Sequence, residues 1–288
     1  MKTILSRSNR IRLLILFLAL PSLIGANDKG LAHEEISEKD FTIREEMVPM
    51  RDGVRLYTLI LSPMDTTQPI PVILLRTPYN AKRTAGNLSA SSLKAALGTR
   101  YLGPDYIYVF QDIRGRFKSE GDYFMYRAPR GPFNTTSTAE TTDAWDSIEG
   151  LVHSLSTNGR VGIWGTSYPG WLTLAAMRDP HPALAAAVPF NPVVDTWKAD
   201  DWFHWGAFRG FYAFDFIYGM ETRTDAPTNY PYEENEIYSW MLPQGALGLS
   251  LEPRLDERHE MWQWLMKFPE YGPYWKEVAA DRWFESPS

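Results

Sequence analysis

The sequence predicts an α/β fold in which a mostly parallel sheet is covered by helices on both faces. Two observations carry this. Pro71 to Arg76 and Tyr106 to Phe110 are continuous apolar runs of strand length, the pattern of strands buried on both faces. Apolar residues at helical spacing stand between such runs, so strands and helices alternate as crossover connections require.

Lys2, Arg7, Arg10 and Arg12 precede an uncharged apolar stretch of 14 residues, Leu13 to Ala26. That is signal-peptide length and short of the ~20 residues that cross a bilayer as a helix. Residues 1–26 therefore read as an export signal and 27–40 as a polar linker, with an uncleaved membrane anchor as the alternative. The expected location is periplasmic or secreted, with no stable membrane span once the signal is removed. Residues 41–194 are assigned to the α/β core. Val48 to Leu61 holds two β-rich runs around Arg51-Asp52-Gly53, an Asp-Gly hairpin signal. Val161 to Trp164 and Ala185 to Pro189 are shorter strand candidates. Thr142 is the expected cap of a helix carrying Trp145, Ile148, Val152 and Leu155, with Asn158-Gly159 as its stop. A second helix is expected from Ser167 to Arg178, with Pro169 tolerated in its first turn.

Composition changes after Asp195: residues 195–284 hold 22 aromatics in 90 positions, against 18 in the other 198. Residues 195–288 read as a helical, aromatic-rich cap insertion over the sheet's active edge. Most of its rings would pack its own core, leaving a few for a pocket. The chain has no cysteine, which removes disulfides, thiolate nucleophiles and thiolate metal sites. A net charge of −6 gives a nucleic-acid partner no electrostatic support. His259-Glu260 lacks the second histidine of a zinc motif, so no metal and no cofactor are expected. Asn134-Thr-Thr136 is a formal glycosylation acceptor.

The sharpest motif is Val161-Gly-Ile-Trp-Gly-Thr-Ser-Tyr-Pro-Gly-Trp171, a short strand running through Gly165 and Ser167 into a helix. A nucleophile elbow needs this context: the serine projects from a tight turn, its neighbours must be small, and the helix N-terminus faces the reacting carbonyl. Ser167 is the candidate nucleophile, with a structural turn serine as the alternative. The backbone N–H of Tyr168 is the natural first oxyanion donor. The pattern departs from G-x-S-x-G, because Pro169 stands at +2 and glycine at +3.

Gly165-Thr-Ser-Tyr-Pro-Gly170 resembles the elbow of the Xaa-Pro dipeptidyl-peptidase-like (CocE/NonD) serine hydrolases. Arg76-Thr-Pro-Tyr-Asn80, Gln111-Asp-Ile-Arg-Gly-Arg116, Ser119-Glu-Gly121 and Asp179-Pro-His-Pro-Ala183 look like the same family in the same order. Val194-Asp195 with Asp200-Asp-Trp-Phe-His204 is most similar to its α-amino-acid ester hydrolase and glutaryl-cephalosporin acylase branch. The resemblance covers residues 41 to 280 and implies an α/β-hydrolase fold. It implies a serine hydrolase, exported by the N-terminal signal, acting on ester or amide bonds of small acyl substrates with a free α-amino group through an acyl-enzyme on Ser167. By the same resemblance Tyr79, otherwise a loop tyrosine, offers its O–H as second oxyanion donor. Asp201, otherwise a solvated acidic turn, holds a substrate α-ammonium. Asp112 and Arg114 read as a buried network bracing a loop.

A serine nucleophile needs a base and an orienting acid, in this fold in the order Ser, acid, His. Only three histidines follow Ser167. His181 reads as structural, His204 belongs to the cap motif, and His259 fits a solvated helix face. The resemblance places acid and base further on, so the expectation is that both lie beyond Ser288, with the last sheet strands and a C-terminal β-sandwich. On that expectation the alternative function is a catalytically incomplete fragment or a non-catalytic binding protein. The partner expected is a small ester or amide substrate, and homo-oligomerisation is left open.

Overall fold

The computed structural model describes residues 41–64, 66–85, 105–232, 237–245 and 254–284. The expected export signal and linker lie outside the described residues. An antiparallel hairpin opens the fold, β1 (Phe41–Pro49) pairing with β2 (Arg55–Pro63). Its tight turn is closed by the Met50 N–H donating to Val54 C=O at 2.7 Å, as the Asp52-Gly53 signal predicts. Then follow β3 (Ile70–Thr77), a short helix α1 (Ala81–Thr84) and β4 (Ile107–Asp112), whose six residues are all buried. Helix α2 (Glu140–Ser154), β5 (Thr157–Thr166), α3 (Tyr168–Arg178) and β6 (Leu184–Phe190) complete the alternation.

The sheet order is β1-β2-β4-β3-β5-β6. β3, β4, β5 and β6 run parallel, and β2 alone runs against them, pairing antiparallel with both β1 and β4. Alternate strand residues feed two cores. Ile60, Val72, Leu74, Val109, Val161 and Ile163 face Ala144, Ile148 and Leu151 of α2 and Ala176 of α3. Leu59, Leu61, Leu75, Tyr108 and Phe110 face α1 on the other side. Each fully buried Leu, Ile or Val contributes about 1.5–3 kcal/mol by leaving water.

Two helix expectations are corrected. Thr142 is not the cap but sits inside the first turn, where its Oγ accepts from the Ala139 N–H at 2.8 Å. The N-cap is Ala139, whose side chain accepts nothing; Thr142 Oγ makes the other half of a capping box by accepting the Ala139 N–H. Asn158-Gly159 does not stop this helix: Leu155 already turns extended, and both residues belong to β5.

The segment after Asp195 is mainly helical. It holds a two-residue hairpin, β7 (Phe203–His204) with β8 (Ala207–Phe208), then α4 (Gly210–Glu221), α5 (Ile237–Met241), α6 (Glu260–Lys267) and α7 (Pro273–Val278). Its buried Trp202, Phe214, Trp262 and Trp275 join Tyr168, Trp171 and Leu172 of α3 in one core. The rings after Asp195 pack mainly on one another, and this aromatic core also takes in the buried face of α3. Among the described residues, no helix is long and apolar enough to cross a membrane.

Candidate active site

Ser167 sits between the end of β5 and the start of α3 with φ 62° and ψ −123°. A non-glycine residue there costs about 1–3 kcal/mol and persists only when its surroundings enforce it. The enforcement is visible. The Ser167 N–H donates to Phe190 C=O at 3.0 Å, and Ser167 C=O accepts from the Trp171 N–H at 3.0 Å. A Cβ at Gly165 would lie 2.4 Å from the Pro169 carbonyl, and one at Gly170 would lie 2.7 Å from Phe190 O. Glycine is required at both positions by close approach. Ser167 is exposed above the strand ends, and Tyr168 behind it is fully buried. The Tyr168 N–H begins the helix, where no intrahelical acceptor exists.

Tyr79 leaves β3 through Pro78, its N–H held by Thr77 Oγ at 3.0 Å. Its ring meets Tyr168 edge-on at 6.4 Å. Burial, then the neighbouring Tyr212 and Asp201, raise its phenol well above the ordinary range, so it remains a proton donor at neutral pH.

The adjacent acids Asp200 and Asp201 do different things. Asp200 Oδ2 accepts from the Val194 N–H at 2.8 Å, and its carbonyl accepts from Arg209 at 3.2 Å. It is consumed in holding the chain. Asp201 instead faces phenols: Tyr126 donates to its Oδ2 at 3.4 Å, and the Tyr212 phenol lies beside the same carboxylate. Burial, then the Asp200 charge, push Asp201 up to about 6 against the pull of Arg209 and the two phenols. Tyr126 also stacks on Tyr168 at 4.2 Å, and its backbone N–H donates to Tyr168 Oη at 2.9 Å. The structure thus gathers Tyr79, Tyr168 and Asp201 through contacts that sequence reasoning missed. Tyr126 and Tyr212 carry no spacing signal that distinguishes them from other aromatics.

Arg114 is buried, but its acids are Asp143 (2.7 Å) and Asp52 (2.7 Å), not Asp112. Asp112 accepts from the Ala81 N–H at 2.5 Å and is pushed up to about 6 by burial. Sequence adjacency misassigned that pair. Asn134 is also corrected: its Nδ2 donates to Ala128 C=O (2.7 Å) and Thr138 C=O (3.0 Å), so it is buried and committed rather than presented for glycosylation.

The three histidines after Ser167 have other duties. His181 Nε2 pairs with Glu149 at 2.7 Å, and its Nδ1 accepts from the Ala183 N–H at 3.0 Å. His204 lies exposed in β7. His259 is not on a solvated face. It is 1% exposed and bonded to Asp256 and Thr222 at 3.0 Å each. Among the described residues, Ser167 Oγ makes no hydrogen bond, and no group of three or more acidic or His side chains could hold a metal.

A parallel sheet with a strained serine between strand and helix defines an α/β hydrolase with a nucleophile elbow. The chain belongs to the X-Pro dipeptidyl-peptidase (S15) family, whose model matches residues 52–287. It is 31% identical over 153 residues to a cocaine esterase of Rhodococcus sp. (strain MB1 Bresler), covering 53% of this chain and 24% of that protein. Two solved structures are similar. One is an aminopeptidase from the marine sediment archaeon Thaumarchaeota archaeon (TM-score 0.76, 39% identity, 84% of this chain, 40% of that one). The other is an α-amino acid ester hydrolase (TM-score 0.74, 34% identity, 92% of this chain, 43% of that one). The chain spans less than half the length of each of these three proteins.

Proposed function

We propose that this chain carries the nucleophile, oxyanion and amine-binding elements of a serine hydrolase that cleaves esters or amides of small acyl groups with a free α-amino group. The strained backbone of Ser167, exposed at the head of α3, is the observation that carries this reading. Ser167 Oγ attacks the carbonyl carbon and gives up its proton to a base. The resulting oxyanion takes hydrogen bonds from the Tyr168 N–H and the Tyr79 O–H. The intermediate collapses, the alcohol or amine leaves with a proton, and water hydrolyses the acyl-enzyme. Each oxyanion donor is worth about 2.7–4 kcal/mol in the transition state. Asp201, when ionised, attracts the substrate ammonium in a partly desolvated setting, where an effective dielectric of about 20 makes the contact worth a few kcal/mol.

The test compares p-nitrophenyl esters of alanine and of N-acetylalanine on a form of the protein that includes the acid and base Ser167 requires. The expected result is a kcat/KM at least tenfold higher for the free amine, lost in Asp201→Asn, and no turnover in Ser167→Ala. Equal rates on both esters would remove the amine from the proposal. Export through Leu13 to Ala26 is proposed from the basic residues preceding that apolar run. An N-terminus at Asn27 in protein recovered from the periplasm or medium is the expected result, and an intact Met1 would contradict cleavage.

A further inference from the structure

We infer that Tyr126 and Tyr212 are positioning residues that set where the Asp201 carboxylate stands relative to Ser167, and so select the placement of the substrate amine. This rests on the amine reading of Asp201 given above. Tyr126 touches both halves of the site. Its phenol donates to Asp201 Oδ2 at 3.4 Å. Its ring lies 4.2 Å from Tyr168 and 5.1 Å from Trp171, both on the helix that begins at Ser167. Its backbone N–H is pinned to Tyr168 Oη at 2.9 Å. It holds this place at φ 49°, a left-handed conformation that favours glycine, and it is 6% exposed. One residue therefore spans from the nucleophile's helix to the acid.

Tyr212 approaches from α4. Its phenol lies beside Asp201, its ring stacks on Phe216 at 5.9 Å, and the Arg209 guanidinium lies over its face at 4.9 Å. A carboxylate bonded to one fixed phenol and flanked by a second is held to one position. Space-filling alone would need neither hydroxyl, because phenylalanine would supply the same rings. Asp200 and Arg209 bear on Asp201 by charge, Tyr126 by its hydrogen bond, and Tyr212 and Tyr79 as neighbouring phenols.

Tyr126→Phe and Tyr212→Phe in the full chain delete only the hydroxyls. Two readouts separate positioning from packing. The first is the titration midpoint of Asp201, followed by carboxyl 13C NMR and assigned with Asp201→Asn. Loss of a donor to the ionised form raises it, so each variant is expected to titrate at least 0.3 pH units higher than the parent. The second is binding of phenylglycinamide against phenylacetamide, which lacks the amine, in a Ser167→Ala background. The amine's advantage is expected to fall 3- to 10-fold in each variant, with phenylacetamide unaffected. Unchanged midpoints in both variants overturn the inference, as does an amine advantage unaltered by either. If the parent shows no preference for phenylglycinamide, the amine reading itself fails. The midpoints then still decide whether the phenols hold the acid.

Discussion

Ser167 at φ 62° and Gly165 at a 2.4 Å approach are two sides of one constraint, because the turn is too tight for ordinary residues. Ser167→Gly should relieve strain and raise stability by about 0.5–2 kcal/mol, read from the urea midpoint. An unchanged or lowered midpoint would mean the turn is not strained. Gly165→Ala should do the reverse, through a clash with backbone that cannot move aside, and lose soluble folded protein. Asp201 gives a pH-dependent prediction. Its folded midpoint, about 6, lies above the ordinary aspartate value of 3.8, so the native state binds this proton more tightly than the unfolded chain. Stability from this group is therefore highest below pH 4 and falls as pH rises towards 6. Asp201→Asn should raise Tm at pH 7.5 and have little effect at pH 3.5. The proposed amine binding runs the other way, since it needs the ionised acid and should weaken as pH falls through about 6.

Among the elements, α3 connects chemistry to packing. Its first turn carries the N–H proposed as oxyanion donor, and its Trp171 lies 2% exposed against Tyr126, Tyr168 and Trp283. Trp171→Ala should cost about 3–5 kcal/mol in urea unfolding, through lost burial and a cavity. A loss under 1 kcal/mol would show that the cap does not brace the elbow. The strands and α3 were legible because apolar periodicity and glycine placement are local. The start of α2 was not, since Thr142 Oγ reaches back to Ala139 and so makes an alanine serve as cap. The end of α2 was misread for a related reason: Asn158-Gly159 signals a turn in any context, and here β5 has already begun.

For the whole molecule, the alternation of strands and helices gave the fold class, and motifs in order gave the family. The strand order β1-β2-β4-β3-β5-β6 was not readable, because nothing local says that β2 pairs antiparallel with β4. Long-range partners escaped for the same reason. Arg114 finds Asp52 from 62 residues away in sequence, and Tyr126 meets Asp201 from 75 away. The proposed nucleophile rests on a local motif, whereas the groups surrounding Asp201 come together only in the folded chain. The account stands on Ser167 as nucleophile, and intact-mass analysis after incubation with a fluorophosphonate addresses that directly. The predicted result is one adduct per chain, mapped by peptide sequencing to Ser167 and absent in Ser167→Ala. An adduct that persists in Ser167→Ala, or that maps to another serine, would contradict it.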